Sequence, residues 1–330
     1  MKNNIYIDPR WKNAGGIGTF FEKINIINRY EYMNISGSPS KPVDCIYSAK
    51  AISQHKNGVF FFPGYIPPLY SRSPYVFTIH DLNHLDRKEN SSFSKVLFYN
   101  TVIKNGCNKA SYIFTVSNFS KKRIIEWAGI DEDKVINVGN GVSENFHPDG
   151  EKLSLNYDYV LCVSNRKGHK NEVGTLEGFN KARIDPKIKI IFTGNPDAFI
   201  LNKVKELNIQ DRVIFTGYIS EEYLTKLYRT ALCVVFVSFY EGFGLPIVEA
   251  QASGTPVVTS HGSSLGEISG DGAFLVDPYS HIDISNGITE LCMNQRLRTE
   301  LIAKGLVNCK RFSWEKTASI VDQKLVELQG

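Results

Sequence analysis

Glu241 and Glu249 flank a glycine turn in the string SFYEGFGLPIVEAQA, residues 238–252. A Gly-x-Gly turn that opens a helix lets backbone N–H groups approach an anion, and the helix dipole favours negative charge there. Two carboxylates beside such a site do not bind phosphate; they accept from hydroxyls, so the set suits a sugar or ribose joined to a phosphate. The structural alternative is that Glu249 caps or pairs on the surface and the glycines only turn the chain. A cationic counterpart lies in NRKGHKN, residues 165–171, where Arg166, Lys167 and Lys170 are placed to neutralise a diphosphate or, alternatively, form an exposed basic turn. A second glycine turn, with Gly15, Gly16 and Gly18, leaves the dinucleotide pattern G-x-G-x-x-G incomplete, because Phe21 stands where the third glycine belongs. His80 and His84 in HDLNH would share a helical face and suit a metal pair, but Asp81 replaces the glutamate of H-E-x-x-H.

Each group follows a short apolar run that reads as a buried parallel strand. IYID at 5–8 precedes the first glycine turn and a helix from Thr19 toward Tyr30; YVFTIH at 75–80 ends in His80; YVLCVS at 159–164 precedes the basic turn; ALCVVFVS at 231–238 precedes Glu241. Pro246 fits the first turn of the following helix, where its missing N–H costs nothing. IKIIFTGN at 188–195 and RVIFTGYIS at 212–220 both end in Thr-Gly, which predicts neighbouring strands with a crevice at their C-terminal edge. A helix is expected over 92–110, and another opening at Ser117 with Lys121, Lys122 and Arg123 against its dipole. The loop at 63–70, PGYIPPLY, is too proline-rich for helix; it either lines an acceptor site or folds back on the core.

The string SFYEGFGLPIVEAQASGTPVV closely resembles the donor-site signature of retaining GT-B glycosyltransferases, group 1 or family 4. The resemblance implies an α/β fold of two Rossmann-like domains with a donor-binding cleft between them. It implies 1–150 as an N-terminal acceptor-binding domain, 155–312 as a C-terminal nucleotide-sugar-binding domain, and a helix at about 313–330 packing back on the first. By the same resemblance Glu241 touches the transferred sugar, Glu249 holds the ribose, Arg166 and Lys170 contact the diphosphate, and Tyr218 and Ile219 hold the base. Gly15 and Gly16 approach the diphosphate, His80 faces the sugar, and Phe243, Gly244 and Leu245 complete the donor loop.

The implied reaction is transfer, with retention, of a hexose or deoxyhexose of mannose type. The donor is a nucleotide diphosphate sugar such as GDP-mannose, and the acceptor a saccharide or lipid-linked saccharide in bacterial O-antigen or lipopolysaccharide synthesis. No cofactor and no metal are expected. Rival readings are a sugar-nucleotide 2-epimerase of the same architecture, a nucleotide-dependent oxidoreductase and a non-catalytic sugar-nucleotide-binding subunit.

The 330 residues suffice for two cores, and no apolar run reaches the length of a membrane span. MKNNIYIDPR has no secretory apolar region, so a cytoplasmic location is expected. Lys and Arg outnumber Asp and Glu 18 to 13 over residues 1–150 and stand at 20 to 21 thereafter. The basic half suits peripheral contact with an anionic membrane face or a phosphorylated acceptor, or is simply solvated; nothing indicates nucleic acid. Six cysteines without a CxxC pair predict buried free thiols.

Overall fold

In the computed structural model, residues 4–55 and 57–329 are described, and the chain forms two compact units. The first comprises residues up to Gly141 together with those from Phe312 on; the second is Val142–Arg311. The boundary thus falls earlier than the resemblance implies. Phe146 is in the second unit's core and Asn145 Nδ2 donates to Glu221 at 2.7 Å, so residues 142–150 belong to that unit and not to an N-terminal domain of 1–150.

The first unit is built on six parallel strands, β1 (Ile5–Ile7), β2 (Glu31–Tyr32), β3 (Val59–Phe62), β4 (Tyr75–Thr78), β5 (Tyr112–Thr115) and β6 (Val135–Asn137), in the order β2-β1-β3-β4-β5-β6. VFFF and YVFT are buried at every position, as strands covered on both faces must be. They pair through Phe60↔Tyr75, Phe61↔Val76 and Phe62↔Phe77. The order in which strands are added reverses between β1 and β3, and at such a switch point the loops leaving the strand ends diverge and open a crevice. The first glycine turn leaves β1 there.

The helix Gly15–Asn28 that follows is covered by Trp314–Val326: Asn28 Nδ2 donates to the Ala318 carbonyl at 2.9 Å and the Tyr30 hydroxyl to Asp322 at 3.0 Å. Trp314, Ala318, Val321 and Leu325 are the buried stripe of the later helix. Its start presses so closely on Gly141 that a Cβ there would lie 2.2 Å from the Trp314 nitrogen. The predicted helix over 92–110 is interrupted by a π turn at Tyr99–Ile103. The loop at 63–70 folds back: Pro63, Gly64 and Ile66 to Pro68 are buried, and only Leu69 and Tyr70 are well exposed.

The second unit has strands β7 (Tyr159–Cys162), β8 (Lys189–Phe192), β9 (Val213–Phe215), β10 (Cys233–Phe236), β11 (Val257–Ser260) and β12 (Ala273–Val276), all parallel, in the order β12-β11-β10-β7-β8-β9. From β7 outward this is the doubly wound arrangement, and the reversal falls between β7 and β10. The basic turn leaves β7 and the Glu241 loop leaves β10. The two Thr-Gly strands, β8 and β9, are neighbours, and beyond them Gly194 N–H donates to the Gly217 carbonyl at 2.9 Å. All six cysteines are buried free thiols.

Candidate active site

In the second unit, strand order brings the basic turn against the glycine turn. Lys170 Nζ donates to Glu241 Oε1 at 2.7 Å, with 15% and 12% of the two side chains exposed, and the ammonium lies 4.9 Å from the centroid of Phe236. Ser264 Oγ clamps the loop by donating to the carbonyls of Glu241 and Phe243, each at 2.9 Å. Gly244 has φ +107°, a conformation that L side chains rarely adopt, and caps the helix Leu245–Ala252 with Pro246 in its first turn. Asn171, also left-handed, donates from Nδ2 to the carbonyls of Val237 and Pro278 at 3.1 and 2.7 Å, fixing the turn after β7 to the end of β10.

Arg166, expected at the diphosphate, makes its contacts within the protein. Its guanidinium pairs with Glu172, donates to the carbonyls of Thr193 and Asn195, and lies over the rings of Phe192 and Phe215 at 5.5 and 5.2 Å. With a left-handed backbone and 11% of its side chain exposed, it ties the β7 turn to the ends of β8 and β9, and Lys170 is the cation that meets the glycine loop.

Glu249 lies on the helix after the turn and accepts from the Tyr228 hydroxyl at 2.8 Å. Loss of hydration on burial raises its carboxyl to about pH 7, opposed by the Tyr228 bond and reinforced by the charge of Glu221. Tyr228 is itself buried, and neither its role nor that of Ser264 or Glu172 was signalled by spacing, since each acts across loops. Ile219 packs against the core while Tyr218 is 99% exposed, a flat ring standing at the end of β9. Phe243 of the glycine loop is buried, and Leu245, the first residue of the helix, is half-buried.

In the first unit Gly15 begins its helix with φ +57°, and a Cβ on Gly15 or Gly16 would meet open space, so the turn is accessible. His80 lies just past β4, edge-on to Phe20 of that helix at 5.1 Å. Its Nε2 is 2.9 Å from the Pro63 carbonyl and so carries the proton; Nδ1 is left as an acceptor. Burial lowers the imidazole to about pH 4, only partly offset by the Pro63 contact, so it is neutral at pH 7. His84 instead turns Nδ1 to the Asn90 carbonyl at 3.0 Å. Among the described residues no group of three or more His, Cys, Asp or Glu is placed to hold a metal ion. Unforeseen from the sequence is a buried triad behind the glycine turn, in which Arg10 bonds Asp8 at 2.7 Å and Asp44 at 2.9 Å.

Two six-stranded parallel sheets with helices are two Rossmann-like domains and match GT-B glycosyltransferase structures. Residues 144–306 match the family described as "Glycosyl transferases group 1" and residues 23–146 match "Glycosyltransferase Family 4". The chain belongs to the GT-B glycosyltransferases of group 1 and family 4 type. It is 29% identical over 282 residues to O-antigen chain mannosyltransferase B of Escherichia coli, spanning 81% of this chain and 74% of that one. It is 30% identical over 203 residues to O-antigen chain mannosyltransferase RfbU of Salmonella typhimurium, spanning 61% and 56%, so that match takes in little more than half the relative's length. Among solved structures, Anabaena HepE in complex with UDP and glucose superposes with a TM-score of 0.74 at 18% identity, covering 98% of this chain and 99% of that one. No helix among the described residues is long and apolar enough to cross a membrane.

Proposed function

We propose that this glycosyltransferase moves a mannose-type hexose or deoxyhexose from a nucleoside diphosphate sugar to a saccharide or lipid-linked saccharide acceptor, with retention and without a metal, in the synthesis of a bacterial surface polysaccharide. The observation that carries the reading is the Lys170–Glu241 pair joining the two loops at the reversal of the second sheet. It sets a cation for phosphate beside a carboxylate for hydroxyls, held by a glycine turn whose N–H groups open a helix. Mannose is favoured by the names of the two relatives, and the UDP in the structural neighbour supports a nucleoside diphosphate as the leaving group.

As the bond from the anomeric carbon to the diphosphate breaks, negative charge grows on the leaving phosphate. Lys170 and the N–H groups of the glycine turn stabilise it, which suits a reaction that uses no metal. The acceptor hydroxyl attacks from the side on which the diphosphate leaves, and the departing phosphate oxygen takes its proton. Glu241 accepts from a hydroxyl of the transferred sugar and Glu249 from the ribose. His80 Nδ1, an acceptor in a neutral ring, takes a further sugar hydroxyl, and Tyr218 and Ile219 hold the base. Gly15 and Gly16 offer open backbone N–H groups to the diphosphate.

The test is incubation with GDP-mannose, UDP-glucose and their relatives, with and without a mannosyl acceptor, reading anomeric configuration by NMR and repeating with EDTA. An α-linked product from an α-linked donor, undiminished by chelation, is expected. An epimerised donor formed without acceptor would replace the reading with that of an epimerase.

A further inference from the structure

Within the second unit a cavity of about 450 Å³, whose lining includes neither Lys170 nor Glu241, opens between the starts of the helices Glu172–Lys181, Ala198–Glu206 and His281–Met293. Its lining joins aromatic rings and carboxylates with the cations Arg166 and Lys167. Phe239 and Tyr279 stack at 4.8 Å with 24° between their planes, and Phe199 stands near them; Tyr279 is 67% and Phe199 71% exposed. The same lining carries carboxylates already oriented by the protein. Glu172 accepts from Arg166 through Oε1, and Asp197 caps its helix by accepting from Ile200 N–H at 2.8 Å through Oδ1. Glu177 is held by Lys203 at 2.7 Å and by His281 at 3.4 Å.

A phosphate or nucleotide is a poor fit, because Glu172, Glu177 and Asp197 would face its charge while Arg166 is already committed to Glu172, which leaves Lys167 as the one lysine of the lining. A purely apolar ligand is also a poor fit, because it would strip water from the carboxylates without replacing their hydrogen bonds. A polyhydroxylated ring fits both walls: its C–H faces lie on the aromatic rings and its hydroxyls donate to Glu172 Oε2 and Asp197 Oδ2. The volume falls in the range of small-ligand pockets of roughly 300–1,000 Å³ and holds more than one sugar residue. We infer that this cavity is a saccharide-binding site separate from the Lys170–Glu241 site, which holds a stretch of glycan rather than the donor. The choice of a mannose oligomer as its ligand rests on the mannosyl reading above; the existence of the site does not.

The inference is tested by titrating the whole protein with α-linked mannotriose, following line broadening or calorimetry, with GDP and UDP titrated in parallel. Because Tyr279 and Phe199 project into solvent, Tyr279→Ala and Phe199→Ala are expected to keep the unfolding temperature and nucleoside diphosphate affinity. Each is expected to weaken mannotriose at least about tenfold, the loss of one stacking face. Mannotriose binding that both variants leave unchanged, or its absence from the unaltered protein, overturns the inference. Failure of GDP and UDP to bind while mannotriose does so overturns the transferase reading and leaves this site standing.

Discussion

At the scale of single residues, the two cations of NRKGHKN separate into different kinds of part. Lys170 is matched only to Glu241, and Lys170→Ala is expected to lower kcat/KM by at least about 100-fold, the scale of losing a charge-stabilising donor, with little change in nucleoside affinity. Arg166 satisfies one carboxylate and two carbonyls at once. Arg166→Ala is therefore expected to cost stability first, about 3 kcal/mol in urea unfolding, because Glu172 is left buried and unpaired. Near-normal stability with collapsed turnover would return Arg166 to the diphosphate. The sequence shows that both residues are cations on one turn; it does not show that Arg166 pairs with Glu172 and the carbonyls of Thr193 and Asn195. Tyr228 is hidden for the same reason, since 21 residues separate it from Glu249 and only the packed fold joins them. The Lys170–Glu241 pair also makes the site nearly neutral, so inorganic phosphate is expected to bind far more weakly than a nucleoside diphosphate. An anion alone can satisfy the lysine but strands the carboxylate.

At the scale of elements, the strands were legible because buried parallel strands announce themselves as short β-branched and aromatic runs, as VFFF, YVLC and CVVF do. The exposed two-residue β2 carries no such signal, and the expected helix end near Tyr30 falls at Asn28 because Arg29 turns left-handed. Strand order was not legible: β2-β1-β3 in one sheet and β8-β7-β10 in the other follow from which helices cover which face, a property of the whole sheet. The turn between β10 and its helix depends on one residue, Gly244. A Cβ there would be strained by its φ and would lie 2.6 Å from Leu265 Cδ2. Gly244→Ala is expected to lower stability by about 1–3 kcal/mol and to weaken nucleoside diphosphate binding together with it. An unperturbed melting curve would show that the turn can relax.

At the scale of the molecule, the two units carry opposite responses to acid. His80 has its folded value depressed from 6.5 to about 4, so the unfolded chain binds the extra proton and the stability of its unit rises with pH between those values. Glu249 has its folded value raised from 4.5 to about 7, so the native state binds the extra proton and its unit loses stability as pH rises across that span. Calorimetric scans from pH 4 to 7.5 should show His80→Gln removing the rising component and Glu249→Gln the falling one. The order of magnitude of each is about 3 kcal/mol at 1.36 kcal/mol per unit. Identical pH slopes in variant and parent would refute the burial of that group. Since Trp314–Val326 covers the helix that opens the first unit, the polypeptide leaving the ribosome completes all of Val142–Arg311 before its opening segment can be finished. The unit whose synthesis begins first is therefore expected to be the last to finish folding. Nascent chains halted just after residue 311 is free of the tunnel should already resist protease across the second unit, while the face of Gly15–Asn28 is still open to cleavage or to a chaperone.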